Sequence, residues 1–202
     1  MIRQETAAGV LTLTIDRTRR ANSLTAAMLE DLAQAVEAAH DTRLLVLTGA
    51  GDTVFSAGAD LDEARAGLAT SPLWERLSGA VAAFPGLPVA ALNGTLAGGA
   101  FGMALACDIR LAVPQASFFY PVAKLGYLPQ PSDPARLAAL VGPARAKLIL
   151  AAGARLDAAE ALAFGLVDRV VPDARAAARE MAEDLADTQA SHVAAIKAMV
   201  PG

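Results

Sequence analysis

The sequence predicts an α/β fold, on three observations. Val10–Ile15 (VLTLTI) is apolar and β-branched, as strands are. After Thr25, a residue type that caps helices, Leu29, Leu32, Val36 and Ala39 recur at helical spacing up to about His40. Leu44–Leu47 is then a short apolar run of the buried-strand kind. Strand, helix and strand in that order form a unit with right-handed crossovers.

The remaining elements follow in order. Asp16–Asn22 reads as a loop carrying Arg17, Arg19 and Arg20, and Gly49–Gly58 (GAGDTVFSAG) as a turn-rich loop. Helices are expected over about Leu61–Ala69 and Leu73–Phe84, the second ended by Pro85 and Pro88. Val89–Leu92 reads as a strand broken by Asn93-Gly94. Gly98-Gly99 then opens an apolar helix that ends near Cys107. Ile109–Val113 and Ser117–Tyr120 read as strands. Tyr120–Pro134 holds four prolines and reads as a loop. Helices are expected over Pro134–Leu140, Ala144–Ala151 and Ala158–Phe164, then a strand over Val167–Val171 and an Ala-rich helical tail from Asp173.

Composition narrows the function. At 202 residues, one domain is expected, with a core closely packed through alanine. The formal net charge is −4 with no basic block, which argues against nucleic acid as a partner. Cys107 is the only cysteine, so no intrachain disulfide forms, and a reducing, cytoplasmic setting is expected. The charged opening MIRQETAAGV does not read as a signal peptide, and no apolar run reaches membrane-spanning length.

Two segments carry the chemistry. One is Phe55-Ser56-Ala57-Gly58-Ala59-Asp60-Leu61; the other runs from Asn93 through Gly98-Gly99 to Gly102 and on to Cys107-Asp108. Small residues let a ligand approach the backbone, and N–H groups free at a helix start can meet a negative oxygen. Each motif alone is weak, since glycines also serve close packing. In this order, with Arg20-Ala21-Asn22-Ser23-Leu24, Leu125-Gly126 and Ala161–Asp168 (ALAFGLVD), the set resembles the crotonase (enoyl-CoA hydratase/isomerase) superfamily over nearly the whole chain.

The resemblance implies a crotonase-like spiral of ββα units, related to that of Clp-type proteases, over 1–172. A short helical segment, 173–202, follows, where family members commonly carry a longer cover that helps trimers form. It implies an acyl-CoA thioester as substrate, coenzyme A entering only with it, no separate cofactor, no metal, and a homotrimer or hexamer. It places an oxyanion hole at the N–H groups of Ala59 and Gly99. The Arg20-Ala21 and Ala57–Leu61 backbones, with Gly58, Asp60 and Gly98, would line the CoA path, where Arg17, Arg19 and Arg20 could meet phosphates. The family's hydratases add water with two glutamates. Their places fall here on Gly102 and Val122, which cannot titrate. An aspartate used by related isomerases and dehalogenases falls on Gln130.

Among the other candidate groups, Asp133 reads either as an acid brought in by a rearranged loop or as a helix N-cap before Pro134. Tyr120 and Tyr127 read as donors to an acyl group or as packed side chains. Lys124 reads as a solvated charge, and Asp60 and Glu63 as serving a helix start. A dinucleotide site is disfavoured by the absence of G-x-G-x-x-G, and a serine hydrolase by the lack of G-x-S-x-G, with His40 and His192 expected at the surface. The expected activity is isomerisation, thioester hydrolysis or decarboxylation rather than hydration. The alternative is an inactive acyl-CoA-binding or scaffold subunit.

Overall fold

The computed structural model describes residues 1–200. Strand β1 (Ile2–Ala7) forms an antiparallel hairpin with β2 (Val10–Ile15). β1 was not expected: past Ile2 its residues are all exposed, so IRQETA shows no buried face. Its charged side chains suit an edge position. Helix α1 (Ala26–Glu37) starts where expected, with the Thr25 hydroxyl accepting from the Met28 N–H at 3.2 Å. It buries Met28, Leu29, Leu32 and Val36. Strand β3 (Leu44–Gly49) is buried along its whole length.

The loop expected over Gly49–Gly58 contains a strand, β4 (Val54–Ser56). Helix α2 (Leu61–Arg65) is shorter than the expected Leu61–Ala69, because Gly67 takes φ 110°, which no right-handed helix continues. Next come α3 (Leu73–Ala82), β5 (Leu87–Leu92) and a strand missed in the sequence, β6 (Thr95–Ala97). The helix expected from Gly98 to Cys107 is a 3₁₀ turn, Gly98–Ala100, running into a short α4 (Phe101–Leu105). Strands β7 (Ile109–Ala112) and β8 (Ser117–Phe119) follow. The proline-rich segment after them is not all loop: it holds α5 (Val122–Leu125).

Helices α6 (Asp133–Val141) and α7 (Pro143–Leu150) match expectation, and β9 (Arg155–Asp157) is additional. Helix α8 (Ala158–Phe164) begins with a capping box between Asp157 and Glu160. The last strand, β10 (Arg169–Val170), is shorter than expected. The tail forms α9 (Ala174–Asp184), packed on β3, β5 and β7, and α10 (Ala190–Met199). Of the expected 173–202 segment, residues 201–202 lie outside the described residues.

From β3 to β8, the chain alternates between two sheets. The larger has the order β1-β2-β3-β5-β7-β10, parallel beyond the first pair, and the smaller β4-β6-β8-β9, parallel except for β9. Successive pairs β3/β4, β5/β6 and β7/β8 are turns of the ββα spiral. Leu13, Leu47, Ala91 and Leu111 on the inner strands, with Phe101 and Phe118, mark the core. Among the described residues, no helix is long and apolar enough to cross a membrane.

Candidate active site

Because β4, β6 and β8 run parallel, their carboxyl ends meet at one edge of the small sheet. This is where open α/β sheets leave room for a ligand. Each strand hands on directly to a candidate segment: Ala57–Ala59 after β4, Gly98-Gly99 after β6, and Tyr120–Val122 after β8.

The first arm is held from both sides. The Ser56 hydroxyl donates to the Asn22 carbonyl at 2.8 Å and accepts from the Gly58 N–H at 3.2 Å. The Leu24 N–H donates to the Gly58 carbonyl and the Asp60 N–H to the Leu24 carbonyl, both at 2.8 Å. Ala59 lies between these bonds, and its N–H has no acceptor among the described residues. In the second arm, Gly99 sits in the first turn of a helical segment, where an N–H finds no partner within the helix. Gly58 and Gly98 have φ of 87° and 59°, a region that L side chains rarely adopt. A Cβ on Gly58 would lie 2.9 Å from the Ala97 oxygen and 3.1 Å from the Gly99 nitrogen. The arms therefore converge, and only glycine at 58 lets them.

The surroundings brace this geometry. Asn22 donates to the Ala50 and Val54 carbonyls at 2.9 and 2.8 Å, and Asn93 to the Gly51 and Val54 carbonyls at 2.8 and 3.2 Å. Arg17 donates to Asp60 at 2.7 Å and to the Ser23 hydroxyl at 3.0 Å. That guanidinium hydrogen bond, reinforced by the Asp62 and Glu63 N–H groups that Asp60 caps, holds the Asp60 carboxyl below the usual range. The Asp60 side chain is thus occupied and off the cavity wall, and Arg17 is committed to it rather than free for a phosphate. Glu63 accepts from the Ala26 N–H at 2.7 Å, so it serves the start of α1 rather than that of α2.

The strand ends open on an apolar cavity of about 440 Å³, whose wall includes Ala57, Ala59, Gly99, Tyr120 and Val122. Ala21, Leu61 and Gly98 also line it, whereas Arg20 is exposed and outside the wall. Tyr127 lines it too, and Lys124 faces solvent. Among the described residues no carboxylate lines the cavity, and Arg155 is its one charged side chain. Two wall residues had no sequence signal. Trp74 lays its indole over Gly99, with ring atoms 3.2 Å from where a Cβ there would sit, and donates to the Leu68 carbonyl at 2.8 Å. Arg155 stacks on the Phe119 ring at 3.8 Å.

Asp133 is fully buried without any rearrangement, and it is not a helix N-cap. Ser132 takes that place, and Glu75 accepts from its N–H and hydroxyl at 3.1 and 2.5 Å. Asp133 Oδ2 accepts from the Tyr120 hydroxyl at 2.8 Å, while Oδ1 is buried without a partner among the described residues. A Cβ on Gly102 would lie 3.0 Å from that Oδ1. Burial pushes the Asp133 carboxyl up to about 6; Glu75 adds to this, and the Tyr120 hydrogen bond and Arg136 oppose it. Burial and the neighbouring Asp133 push the Tyr120 phenol far above its usual value. Gln130, buried, donates its side-chain N–H to the Ala69 carbonyl at 3.0 Å.

The family model described as enoyl-CoA hydratase/isomerase matches residues 5–201. YngF of Bacillus subtilis, named for that family, is 36% identical over 166 residues, covering 78% of this chain and 64% of its own; the match spans under two thirds of that relative. A carnitinyl-CoA dehydratase of Citrobacter koseri is 35% identical, covering 93% of this chain and 75% of its own. Among solved structures, an enoyl-CoA hydratase from Bacillus anthracis superposes with a TM-score of 0.87 at 35% identity, covering 96% of this chain and 79% of its own. DspI of Pseudomonas aeruginosa superposes with a TM-score of 0.89 at 36% identity, covering 97% and 84%.

Proposed function

The chain belongs to the enoyl-CoA hydratase/isomerase family, and from that premise we propose that it acts on an acyl-CoA thioester whose carbonyl oxygen is held by the Ala59 and Gly99 N–H groups. One observation carries this reading: the two arms approach so closely that a Cβ on Gly58 would meet the Gly99 nitrogen, while the Ala59 N–H has no acceptor among the described residues. Donors fixed by the fold stabilise charge that develops on the oxygen without reorganising as it forms. The pantetheine arm runs past Ala21, Ala57 and Leu61, and exposed Arg19 and Arg20 meet the phosphates from the loop beside it. Coenzyme A comes with the substrate, and no other cofactor or metal is called for.

Hydration needs one group to activate water and another to deliver a proton. Gly102 and Val122, where the resemblance expects the two acids, supply neither. Isomerisation, thioester hydrolysis or decarboxylation ask for fewer side-chain acids and are the reactions favoured. The second reading, a cytoplasmic acyl-CoA-binding or scaffold subunit working as a trimer or hexamer, draws on the cavity wall, which holds no carboxylate among the described residues.

Calorimetric titration with acetyl-CoA, crotonyl-CoA and free CoA, followed by product analysis of the same mixtures, tests both. The expected result is binding of the two thioesters without hydration of crotonyl-CoA. Gly58→Ala, which fills the gap between the arms, should lower any turnover by about two orders of magnitude or more. Rapid hydration of crotonyl-CoA would overturn the account of Gly102 and Val122. Failure to bind any CoA species would overturn the first reading and favour the scaffold role.

A further inference from the structure

We propose that Tyr120 is the catalytic acid/base of this cavity and that Asp133, behind it, is its proton partner. The proposal rests on the acyl-CoA reading above and names the group that moves the proton.

Four observations support it. Tyr120 belongs both to the cavity wall and to a buried contact, its hydroxyl 2.8 Å from Asp133 Oδ2. Stacking on Phe101, with ring centroids 5.2 Å apart, fixes the ring. The Asp133 carboxyl is incompletely satisfied: one oxygen has Tyr120 and the other, fully buried, has no partner among the described residues. A carboxyl kept only for structure is normally satisfied at both oxygens, since an unpaired buried acceptor costs stability. One that trades a proton leaves a site free. Finally, Gly102 offers no side chain toward Asp133, and a Cβ there would approach Oδ1 to 3.0 Å. The carboxyl of α6 thus fills the space into which a side chain at 102 would project.

The charged and titratable groups around Asp133 are Tyr120 after β8, Glu75 from α3 and Arg136 on its own helix; α4 presents the bare backbone of Gly102. Protonated Asp133 donates its O–H to the Tyr120 oxygen and leaves the phenolic O–H to point into the cavity. An enolate carbon takes that phenolic proton, and the Tyr120 oxygen takes the carboxyl proton. One C–H bond forms, one carboxyl O–H bond breaks, and Asp133 is left ionised. The reverse removes a proton from the carbon next to the thioester. The phenol never persists as a phenolate, which its buried setting would resist.

Exchange of the α-protons of butyryl-CoA in heavy water, followed by NMR, isolates this step from any later chemistry. Wild-type protein should exchange them, with a rate that rises with pH through an inflection close to the Asp133 value of about 6 and then levels. Tyr120→Phe and Asp133→Asn should each slow exchange about 100-fold or more while the calorimetric Kd moves by less than about threefold. Asp133→Asn should also flatten the pH profile, and the double variant should be no slower than the slower single one. A purely structural role would move neither the profile nor the additivity in this way. Exchange undiminished in both folded variants, or absent from wild-type protein that binds butyryl-CoA, overturns the proposal and leaves the acyl-CoA reading standing. Failure of wild-type protein to bind butyryl-CoA overturns that reading as well.

Discussion

Asp133 shows what a single residue costs this fold. Unfolded, its carboxyl titrates near 3.8; folded, it does so at about 6. Between those values the folded chain holds a proton that the unfolded chain has lost, so this group's contribution to stability falls as pH rises through that window. Above it the full difference, about 3 kcal/mol, weighs against folding. Asp133→Asn keeps an acceptor for Tyr120 and removes the charge. Urea melts should find the variant more stable than wild type at pH 8, with the gap closing toward pH 4. The asparagines act in the opposite sense. Asn22, at φ 52°, is buried and spends its amide on the Ala50 and Val54 carbonyls, and its side-chain oxygen accepts from the Arg17 N–H at 2.9 Å. Asn22→Ala takes the side-chain partner from the Ala50 carbonyl and the Arg17 N–H and should cost about 3 kcal/mol in the same melts. Because Asn93 also donates to the Val54 carbonyl, each single variant leaves that oxygen one donor, and the double variant, which leaves it none, should lose more than the sum of the singles. The glycines and Asn22 stand within recognisable motifs and were legible. The setting of Asp133 was not, because the pattern Ser-Asp-Pro suits a cap equally well and only the packing of α6 on α4 decides it.

Elements were legible in proportion to their length and to the clarity of their buried face. α1, α6, α7 and α8 carry helical periodicity, and β2 and β3 have enough apolar residues to stand out. β4 and β6 are three residues each, VFS and TLA, too short for any periodicity, yet they aim both arms of the site. α3 was expected from its sequence, but its role at the site was not: Trp74 from its first turn covers Gly99, and Glu75 beside it holds Ser132, the residue that precedes α6. Trp74→Phe keeps an aromatic wall, loses the bond to the Leu68 carbonyl and should cost about 1–2 kcal/mol. If the thioester carbonyl sits at Gly99, the space released lies beside the acyl group. Hexanoyl-CoA should then gain affinity relative to butyryl-CoA, which parallel titrations of wild type and variant would read. An unchanged ratio would mean that the acyl chain leaves the oxyanion site away from α3.

At the scale of the whole molecule, the spiral came into view through the resemblance, because no local pattern says which of two sheets a strand joins. The tail is attached to it in two ways. α9 buries Ala174 and Ala178 against the large sheet. α10 buries only Val193, with Ile196, Met199 and Val200 exposed beyond it. What ties α10 down is Lys197, whose ammonium meets Asp108 at 2.8 Å and donates to the Phe84 and Gly86 carbonyls at 3.0 and 3.3 Å. That clamp spans the approach to β5 and the start of β7, so one side chain joins the tail to two turns of the spiral. A partly exposed ion pair contributes only about 1 kcal/mol, but α10 has little burial to fall back on, and segments with few buried contacts open first. Lys197→Met should therefore act locally. Amide exchange over 190–199 should speed up about tenfold, while β3 and β5 keep their protection and the global melt moves little. Loss of protection across β3 and β5 as well would instead make α10 part of the cooperative core, held by more than its clamp.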